Sequence, residues 1–164
     1  MNACEAIVQR QLDAYNRKDM AAWLATYSEG AAQYSIEGEL IARDKAHMRA
    51  NIASRFMEPD LYAELLSRHS DDNVVIDHER VRRNFPEGAG TIEMLCIYLI
   101  EHDLIARATF KLFNQRLTGM HTGRAAGSYP CGQARQQAVN QCAPGRHWSE
   151  WAPMFGSDPL ILHA

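Results

Sequence analysis

The hydrophobic pattern of this chain changes from a helical period to a period of two at Pro59. Before this residue, apolar side chains recur three and four residues apart, which is typical of amphipathic helices. After it, successive segments alternate between apolar and polar residues, which is typical of half-buried strands. Helices followed by a run of strands predict an α+β fold, in which a twisted sheet curls around helices packed on one face.

Three helices are predicted before Pro59. The first covers residues 3–17, and the second begins after Asp19, whose side chain is a good N-cap. The third begins after Asp44, a second N-cap candidate, and ends at the proline, which cannot continue a helix. One strand is predicted between the second and third helices, at residues 32–37.

The four segments after the proline are predicted to form an antiparallel meander. Two of their connections are short and polar, which suits hairpins, whereas residues 85–90 predict a longer loop with Gly and Pro in its turns. The predicted strands cover residues 61–68, 73–82, 91–101 and 104–112. The chain is therefore expected to fold into a cone-shaped α+β barrel, with a curved antiparallel sheet wrapped around three N-terminal helices.

The character of the sequence changes after residue 112. Residues 113–164 hold only six charged side chains in 52 positions, and neither period persists there. Trp148 and Trp151 are too apolar to stay in water. We therefore expect a barrel domain at 1–112 and an irregular extension at 113–164, packed on the barrel or on a partner chain.

The composition argues against several classes of protein. A net charge of −3 with scattered Lys and Arg gives no electrostatic footprint for nucleic acid. No segment has the roughly 18 to 20 apolar residues that a membrane helix needs, and the first residues do not resemble a secretion signal. We therefore expect no nucleic-acid partner, no membrane partner and a cytoplasmic location.

The spacing of potential metal ligands and phosphate-binding glycines predicts no cofactor. The four cysteines match no zinc or redox pattern and are expected as free thiols, although the spacing also allows a bridge between the last two. The histidines show no paired ligand spacing on one element, and no Gly-rich phosphate loop is present. The cysteines are Cys4, Cys96, Cys131 and Cys142.

Several segments resemble the SnoaL-like branch of the nuclear-transport-factor-2 superfamily. Residues 8–16, VQRQLDAYN, and 24–28, LATYS, are similar to its opening. Residues 76–81, IDHERV, and 85–88, FPEG, are similar to its central hairpin, and 104–107, LIAR, to its last strand. The resemblance covers about two-thirds of the chain, and it implies a cone-shaped barrel that encloses a pocket for a small, largely apolar molecule.

The same resemblance leaves the reaction open. The superfamily includes ketosteroid isomerases, polyketide cyclases, epoxide hydrolases, dehydratases and non-catalytic binders, most of them homodimers, so function has to be argued from the site. We expect a homodimer through the outer sheet face, because that face carries Leu, Ile and Val side chains that a lone barrel would expose.

The residues required for ketosteroid isomerisation are not found. That chemistry needs a carboxylate base, a tyrosine and a protonated acid. Alignment with the isomerase pattern places Ser35 at the base, Gln11 at the tyrosine and an apolar residue near Ile97 at the acid. Authentic ketosteroid isomerase activity is therefore not expected.

The most concentrated ionisable cluster is Asp77-His78-Glu79-Arg80. Strand alternation places Asp77 and Glu79 on one face and His78 and Arg80 on the other, but apolar neighbours lie on both faces, so the pattern does not decide which pair points inward. Glu93 is expected opposite Glu79 or Arg80, and Arg80 is electrostatically better.

Two interpretations of this cluster follow. In the first, the charges form an ion-pair ladder on a solvated or dimer-facing sheet. In the second, an inward acid has its pKa raised by an apolar cavity and serves as a general acid or base. The candidate catalytic residues are Asp77, His78, Glu79 and Glu93.

Aromatic side chains are the candidates for binding a ligand. Tyr and Trp bring a polar tip to an apolar wall, and such tips orient a bound molecule. The candidates are Tyr15, Trp23, Tyr34, Phe56 and Tyr98, with Tyr34 and Trp23 preferred.

The sequence therefore favours a small-molecule pocket protein. The first hypothesis is cofactor-independent acid–base catalysis, of isomerase, cyclase or hydrolase type, on a small hydrophobic substrate. The alternative is non-catalytic binding or transport of a small apolar ligand in the same pocket. A third is a purely structural or interaction role, which a sealed core would favour.

Overall fold

The computed structural model describes residues 1–118, which form three helices and six strands. The helices pack against one face of the sheet, as the change of period predicts. The helices are α1 (Ala3–Asn16), α2 (Met20–Ala25) and α3 (Lys45–Phe56). The strands are β1 (Tyr27–Ser35), β2 (Leu40–Ala42), β3 (Tyr62–Asp71), β4 (Val74–Phe85), β5 (Gly88–Glu101) and β6 (Leu104–Leu117).

N-cap side chains set where each helix begins. Asp19 accepts a hydrogen bond from the Ala22 backbone N–H at 3.0 Å, and Asp44 accepts one from the His47 N–H at 2.8 Å. Both satisfy a donor that the first helical turn leaves open, so the two predicted caps are confirmed. α1 begins with a capping box that was not predicted, in which Asn2 accepts from the Glu5 backbone N–H.

The sheet has the strand order β2-β1-β6-β5-β4-β3. β3 to β6 form the predicted antiparallel meander. The expected curved sheet around three helices is confirmed, and it contains one parallel pair that was not predicted, between β1 and β6. α3 carries the chain to the far edge of the sheet, and three hairpins then bring β6 back beside β1 in the same direction. The result is the mixed, curved sheet of a cone-shaped α+β fold.

Several strand boundaries differ from those predicted, and β2 was not predicted. β1 begins at Tyr27 rather than at residue 32, and β2 is too short to show a period. The loop expected at 85–90 is a tight turn, because Phe85 already pairs with Gly88. Gly88 has a φ of 137°, which only glycine adopts readily.

The last strand, predicted to end at residue 112, continues to Leu117. The rest of the predicted extension, including Trp148, Trp151 and the Cys131–Cys142 pair, lies outside the described residues. Cys4 and Cys96 are free thiols. No helix in residues 1–118 is long and apolar enough to cross a membrane.

The core fills the space between the helices and the inner face of the sheet. Its fully buried members come from α1, α3 and all the long strands except β3, so one continuous core joins the two layers. The largest are Tyr27, Tyr98, Met48, Ile92, Ile105, Val8, Val75 and Val81.

Candidate functional site

Burial shows which charged side chains of β4 point inward. Asp77 is fully buried and Glu79 is 6% exposed, so both lie on the inner face. His78 and Arg80 alternate with them and lie on the outer face. Arg80 is opposite Glu93 in the β4–β5 register, as electrostatics favours. The open choice between the two faces is therefore settled by burial.

A cavity lies between the three helices and the inner face of β1, β4, β5 and β6. Its volume is about 50 Å³. Most of the wall is apolar, and a few polar groups converge in it. The lining residues are Gln11, Leu12, Tyr15, Trp23, Gln33, Met48, Asn51, Ile52, Arg55, Glu79, Val81, Met94, Cys96, Tyr98 and Phe110.

Glu79 brings a carboxyl group into this cavity. Burial and the negative charge of Asp77 together raise the pKa of Glu79 to about 8, against the opposing effect of Arg68. At pH 7 the side chain is therefore mostly the neutral acid, which can donate a hydrogen bond or a proton. A carboxyl group of this kind is the usual form of a general acid near neutral pH.

Asp77 is held behind Glu79 by a buried ion pair. Arg68 donates from Nε to Asp77 Oδ1 and from Nη2 to Asp77 Oδ2, both at 2.7 Å. A third donor, Arg68 Nη1, reaches Gln9 Oε1 on α1 at 2.9 Å. Asp77 does not line the cavity, so its role there is electrostatic: its charge raises the pKa of Glu79.

Two neighbours of Glu79 on β5 keep their protons. Burial raises the pKa of the Cys96 thiol and of the Tyr98 phenol well above their usual values, and the charge of Glu79 contributes to both shifts. Each side chain is 2% exposed or less. Both therefore present neutral groups to the cavity.

Two amides and a tyrosine form the polar floor near α1 and β1. Gln11 and Gln33 donate from Nε2 to the Tyr27 hydroxyl at 3.3 and 3.4 Å. Burial raises the pKa of Tyr27, so this hydroxyl also stays neutral. The shared acceptor fixes both amides in the wall.

α3 places a cation in the same cavity. Arg55 is 5% exposed, and burial lowers the pKa of its guanidinium to about 10, so it remains charged at pH 7. Tyr15 on α1 is its hydrogen-bonding neighbour. Asn51, one turn earlier, donates from Nδ2 to the Ile41 carbonyl at 3.0 Å, which ties α3 to β2.

Three of the five predicted ligand-binding residues line the cavity, namely Tyr15, Trp23 and Tyr98. Phe56 does not, but packs behind two of them, with ring centroids 5.5 Å from Tyr15 and 6.1 Å from Trp23. Within residues 1–118 no acceptor meets the buried Trp23 Nε1–H.

Tyr34 lies on the outer face, contrary to its predicted place in the pocket. The Arg107 guanidinium lies 4.1 Å from the centre of its ring. Its neighbour Gln33 is buried and faces inward, because alternate residues of a strand point to opposite faces.

The four candidate catalytic residues are divided by the sheet. Glu79 lines the cavity and Asp77 lies behind it, whereas His78 and Glu93 meet on the outer face with a distance of 2.9 Å between Nε2 and Oε2. His78 also stacks on Phe113, with ring centroids 5.6 Å apart. The structure thus does not bring His78 and Glu93 to the cavity.

The positions compared with ketosteroid isomerases need one correction. Gln11 lines the cavity. Ser35 is buried, and its Oγ accepts a hydrogen bond from the Glu39 backbone N–H at 3.1 Å. Ile97 lies on the outer face, so Cys96 and Tyr98 take the inward positions of β5. None of these side chains is a carboxylate.

Sequence reasoning missed Arg55 and Asn51. Both lie on the same helical stripe as Met48 and Ile52, at spacings of three and four, and this signal could have located them. Polar residues on a buried stripe point either to hydrogen bonding in the core or to a site. Among the described residues, no group of three or more His, Cys, Asp or Glu side chains is placed to hold a metal.

Comparisons with known proteins agree with this architecture. The sequence pattern of the SnoaL-like domain family matches residues 8–108, which confirms the expected resemblance. No curated protein matches the chain.

Three similar solved structures show the same fold. A nuclear-transport-factor-2-like protein of unknown function from Burkholderia pseudomallei is 12% identical, with a TM-score of 0.60 over 69% of this chain and 92% of its own. AclR, a candidate hydroxylase from Streptomyces galilaeus, is 17% identical, with a TM-score of 0.60 over 67% and 74%. A candidate polyketide cyclase from Sinorhizobium meliloti is 21% identical, with a TM-score of 0.53 over 68% and 100%.

Proposed function

Since the chain belongs to the SnoaL-like domain family, we propose that its cavity is an active site for acid–base chemistry on a small, largely apolar substrate, without a cofactor. The observation that carries this proposal is Glu79, a carboxyl group 6% exposed in the cavity wall with a pKa of about 8. Acids and bases with perturbed pKa values in a cavity are typical of catalytic sites.

In the proposed reaction, Glu79 is the general acid. Its O–H proton passes to a carbonyl or epoxide oxygen of the substrate as negative charge collects there. The carboxylate so formed then takes a proton back, from an attacking water in a hydrolysis or from the α-carbon of the substrate in an isomerisation or cyclisation. In an isomerisation this step gives a dienol, which becomes the conjugated ketone when Glu79 protonates its γ-carbon and then takes the proton of the enol O–H. Both the proton and the charge are balanced within one turnover.

The surroundings of Glu79 suit this role. Tyr98 and Cys96 flank it as neutral groups, so no nearby base on β5 competes for the proton. The apolar wall excludes water, and a low local dielectric strengthens a hydrogen bond to developing charge. The likeness in fold to a candidate hydroxylase and a candidate polyketide cyclase supports a reaction on a small organic molecule.

Turnover by the wild type and by Glu79→Gln tests the proposal. The probes are styrene oxide, scored for diol, and 3-cyclohexen-1-one, scored by the absorbance of the conjugated ketone. Glu79→Gln keeps the shape but loses the proton, and we expect its rate on any accepted probe to fall at least about 100-fold. Glu101 is an exposed residue at the end of β5, and Glu101→Gln should keep the wild-type rate.

A rate that is unchanged in Glu79→Gln would contradict the proposed role. Glu93→Gln is a further comparison, because Glu93 was a candidate acid and lies on the outer face with His78. We expect it to retain activity. Loss of activity in Glu93→Gln with none in Glu79→Gln would move the site to the outer face of the sheet.

Non-catalytic binding is the second candidate function. It is favoured by one observation: Glu79 is the sole carboxyl group among the described lining residues. The nearby carboxylate of Asp77 does not line the cavity and is hydrogen-bonded to Arg68. A saturable ligand whose affinity is unchanged by Glu79→Gln, with no turnover of either probe, would support binding or transport instead.

We further propose a homodimer through the outer sheet face and a cytoplasmic location. Leu95 is 36% exposed on that face, beside the half-buried Ile97 and Leu99 of the same strand. Burial of these side chains against a second copy would remove apolar surface from water.

A further inference from the structure

Two neutral amides, Gln11 on α1 and Gln33 on β1, lie together in the mostly apolar wall of the cavity, and we call them the amide pair. They are only 5% and 6% exposed. Glutamine is mostly an exposed residue, because a buried amide must replace the hydrogen bonds that it makes to water. Each member of the amide pair therefore needs partners inside the fold or in the cavity.

Tyr27 meets only part of this need. Its hydroxyl accepts from Nε2 of both amides, but the distances of 3.3 and 3.4 Å are longer than is usual for a hydrogen bond. Tyr27 is fully buried and does not line the cavity, so it lies behind the amide pair. Within residues 1–118 this bond is the only side-chain hydrogen bond of each amide. One end of each amide faces Tyr27, and the other end is left for the cavity.

We propose that the amide pair is a subsite for a hydroxyl group of the ligand, so that the substrate is a small apolar alcohol or phenol. The subsite belongs to the same cavity, so it rests on the proposed function and names its class of substrate. The hydroxyl is distinct from the carbonyl or epoxide oxygen that takes the Glu79 proton. Gln11 and Gln33 are then binding residues, and Glu79 remains the acid.

A hydroxyl matches both polar ends of an amide. It has one O–H donor and two acceptor lone pairs, whereas an amide has an acceptor oxygen and two N–H donors. One ligand hydroxyl can therefore donate to an amide oxygen and accept from an amide N–H at the same time. A carbonyl, an ether or a carboxylate has acceptors alone and would leave an amide oxygen unmet.

The side chains around the amide pair also favour a neutral polar group. Glu79 and Cys96 both act electrostatically on Tyr27, which places them near it. Cys96 keeps its proton because burial raises its pKa, and Glu79 is mostly the neutral acid at pH 7. A hydroxyl can be buried at such a site without a counter-ion, provided that it is hydrogen-bonded.

Phenol and toluene are matched probes of the subsite. Each has one ring, which suits a cavity of about 50 Å³, and they differ by a hydroxyl in place of a methyl group. Toluene is the more apolar, so a purely apolar cavity would bind it more tightly. A site that hydrogen-bonds a hydroxyl discriminates against the analogue without one, because its polar groups then stay unpaired.

Calorimetric titration of the full chain with both probes at pH 7 tests the inference. A phenol hydroxyl is neutral at this pH. We expect phenol to bind at least about tenfold more tightly than toluene. Equal affinities, tighter binding of toluene or a lack of saturable phenol binding would overturn the inference.

Variants of the amide pair identify the residues that bind the hydroxyl. Gln11→Leu and Gln33→Leu each replace an amide by an apolar side chain, and each should lower the ratio of phenol to toluene affinity at least about fivefold. Gln115→Leu is the matched control, since Gln115 on β6 does not line the cavity, and it should keep the wild-type ratio. A wild-type ratio in both amide variants would assign the hydroxyl to other groups and refute the subsite.

Spectra of the wild type make the test independent of how well these variants fold. In ¹H–¹⁵N spectra, saturating phenol should shift the side-chain NH₂ resonances of Gln11 and Gln33. Toluene should shift them less, because it forms no hydrogen bond with the amides. Side-chain resonances that do not move with phenol, or that move equally with both probes, would contradict the proposed subsite.

Failure of this inference is distinguishable from failure of the proposed function. Turnover that depends on Glu79, with no preference for phenol over toluene, would refute the hydroxyl subsite and leave the acid in place. A phenol preference that depends on Gln11 and Gln33, with turnover indifferent to Glu79→Gln, would refute the acid and leave the subsite.

Discussion

Replacement of Glu79 by Gln should remove most of one pH-dependent component of stability. The pKa of this carboxyl group is about 8 in the folded protein and 4.5 in its ordinary state. The folded state therefore holds the proton more tightly, and the free energy of unfolding falls as pH rises from 4.5 to 8. The slope is about 1.4 kcal/mol per pH unit, so the full difference is about 5 kcal/mol.

Urea unfolding at pH 5, 6, 7 and 8 measures this effect. Between pH 5 and pH 8, the wild type should lose about 3 to 4 kcal/mol relative to Glu79→Gln, because the amide does not ionise. The comparison cancels the other titrating groups that the two proteins share. Glu101→Gln, at an exposed position, should run parallel to the wild type. Parallel curves for the wild type and Glu79→Gln would refute the argument that burial keeps this acid neutral.

Three further predictions concern the fold and its assembly. Arg68→Met should lower the free energy of unfolding by about 3 to 5 kcal/mol, because it leaves the fully buried Asp77 charge without its two hydrogen bonds; a loss below about 1 kcal/mol in urea would contradict this. Gly90→Ala should lower the melting temperature, since an added Cβ would collide with the Arg116 backbone oxygen; an unchanged thermal transition would show that β6 yields without cost. Sedimentation should show a dimer at micromolar concentration that Leu95→Glu weakens, and a wild-type monomer would refute the proposed outer-face interface.

The order of elements could be predicted from the sequence because each signal is local. The caps at Asp19 and Asp44 and the change of period at Pro59 act within one or two turns of chain. The parallel pairing of β1 with β6 could not be predicted in the same way, because it joins residues more than 70 positions apart. β2 was missed because three residues cannot display a period.

The site was only partly predictable for a related reason. Alternation placed Asp77 and Glu79 together, but the face they occupy depends on the packing of helices against the whole sheet. Tyr34 was placed in the pocket for its polar-tipped ring, but alternation turns Gln33 inward and leaves Tyr34 on the outer face. The signal for Arg55 was present on the stripe of α3, but a buried arginine is rare enough that the pattern suggested an apolar core.

The proposed function requires a neutral carboxylic acid at Glu79 in the cavity at pH 7, and the titration of its carboxyl carbon tests this most directly. In protein labelled with ¹³C at the glutamate side-chain carboxyl group, Glu79→Gln identifies the resonance by its loss. We predict that this resonance titrates with a midpoint near pH 8. A midpoint below pH 6 would show a carboxylate in the cavity at neutral pH, and would contradict the proposed acid.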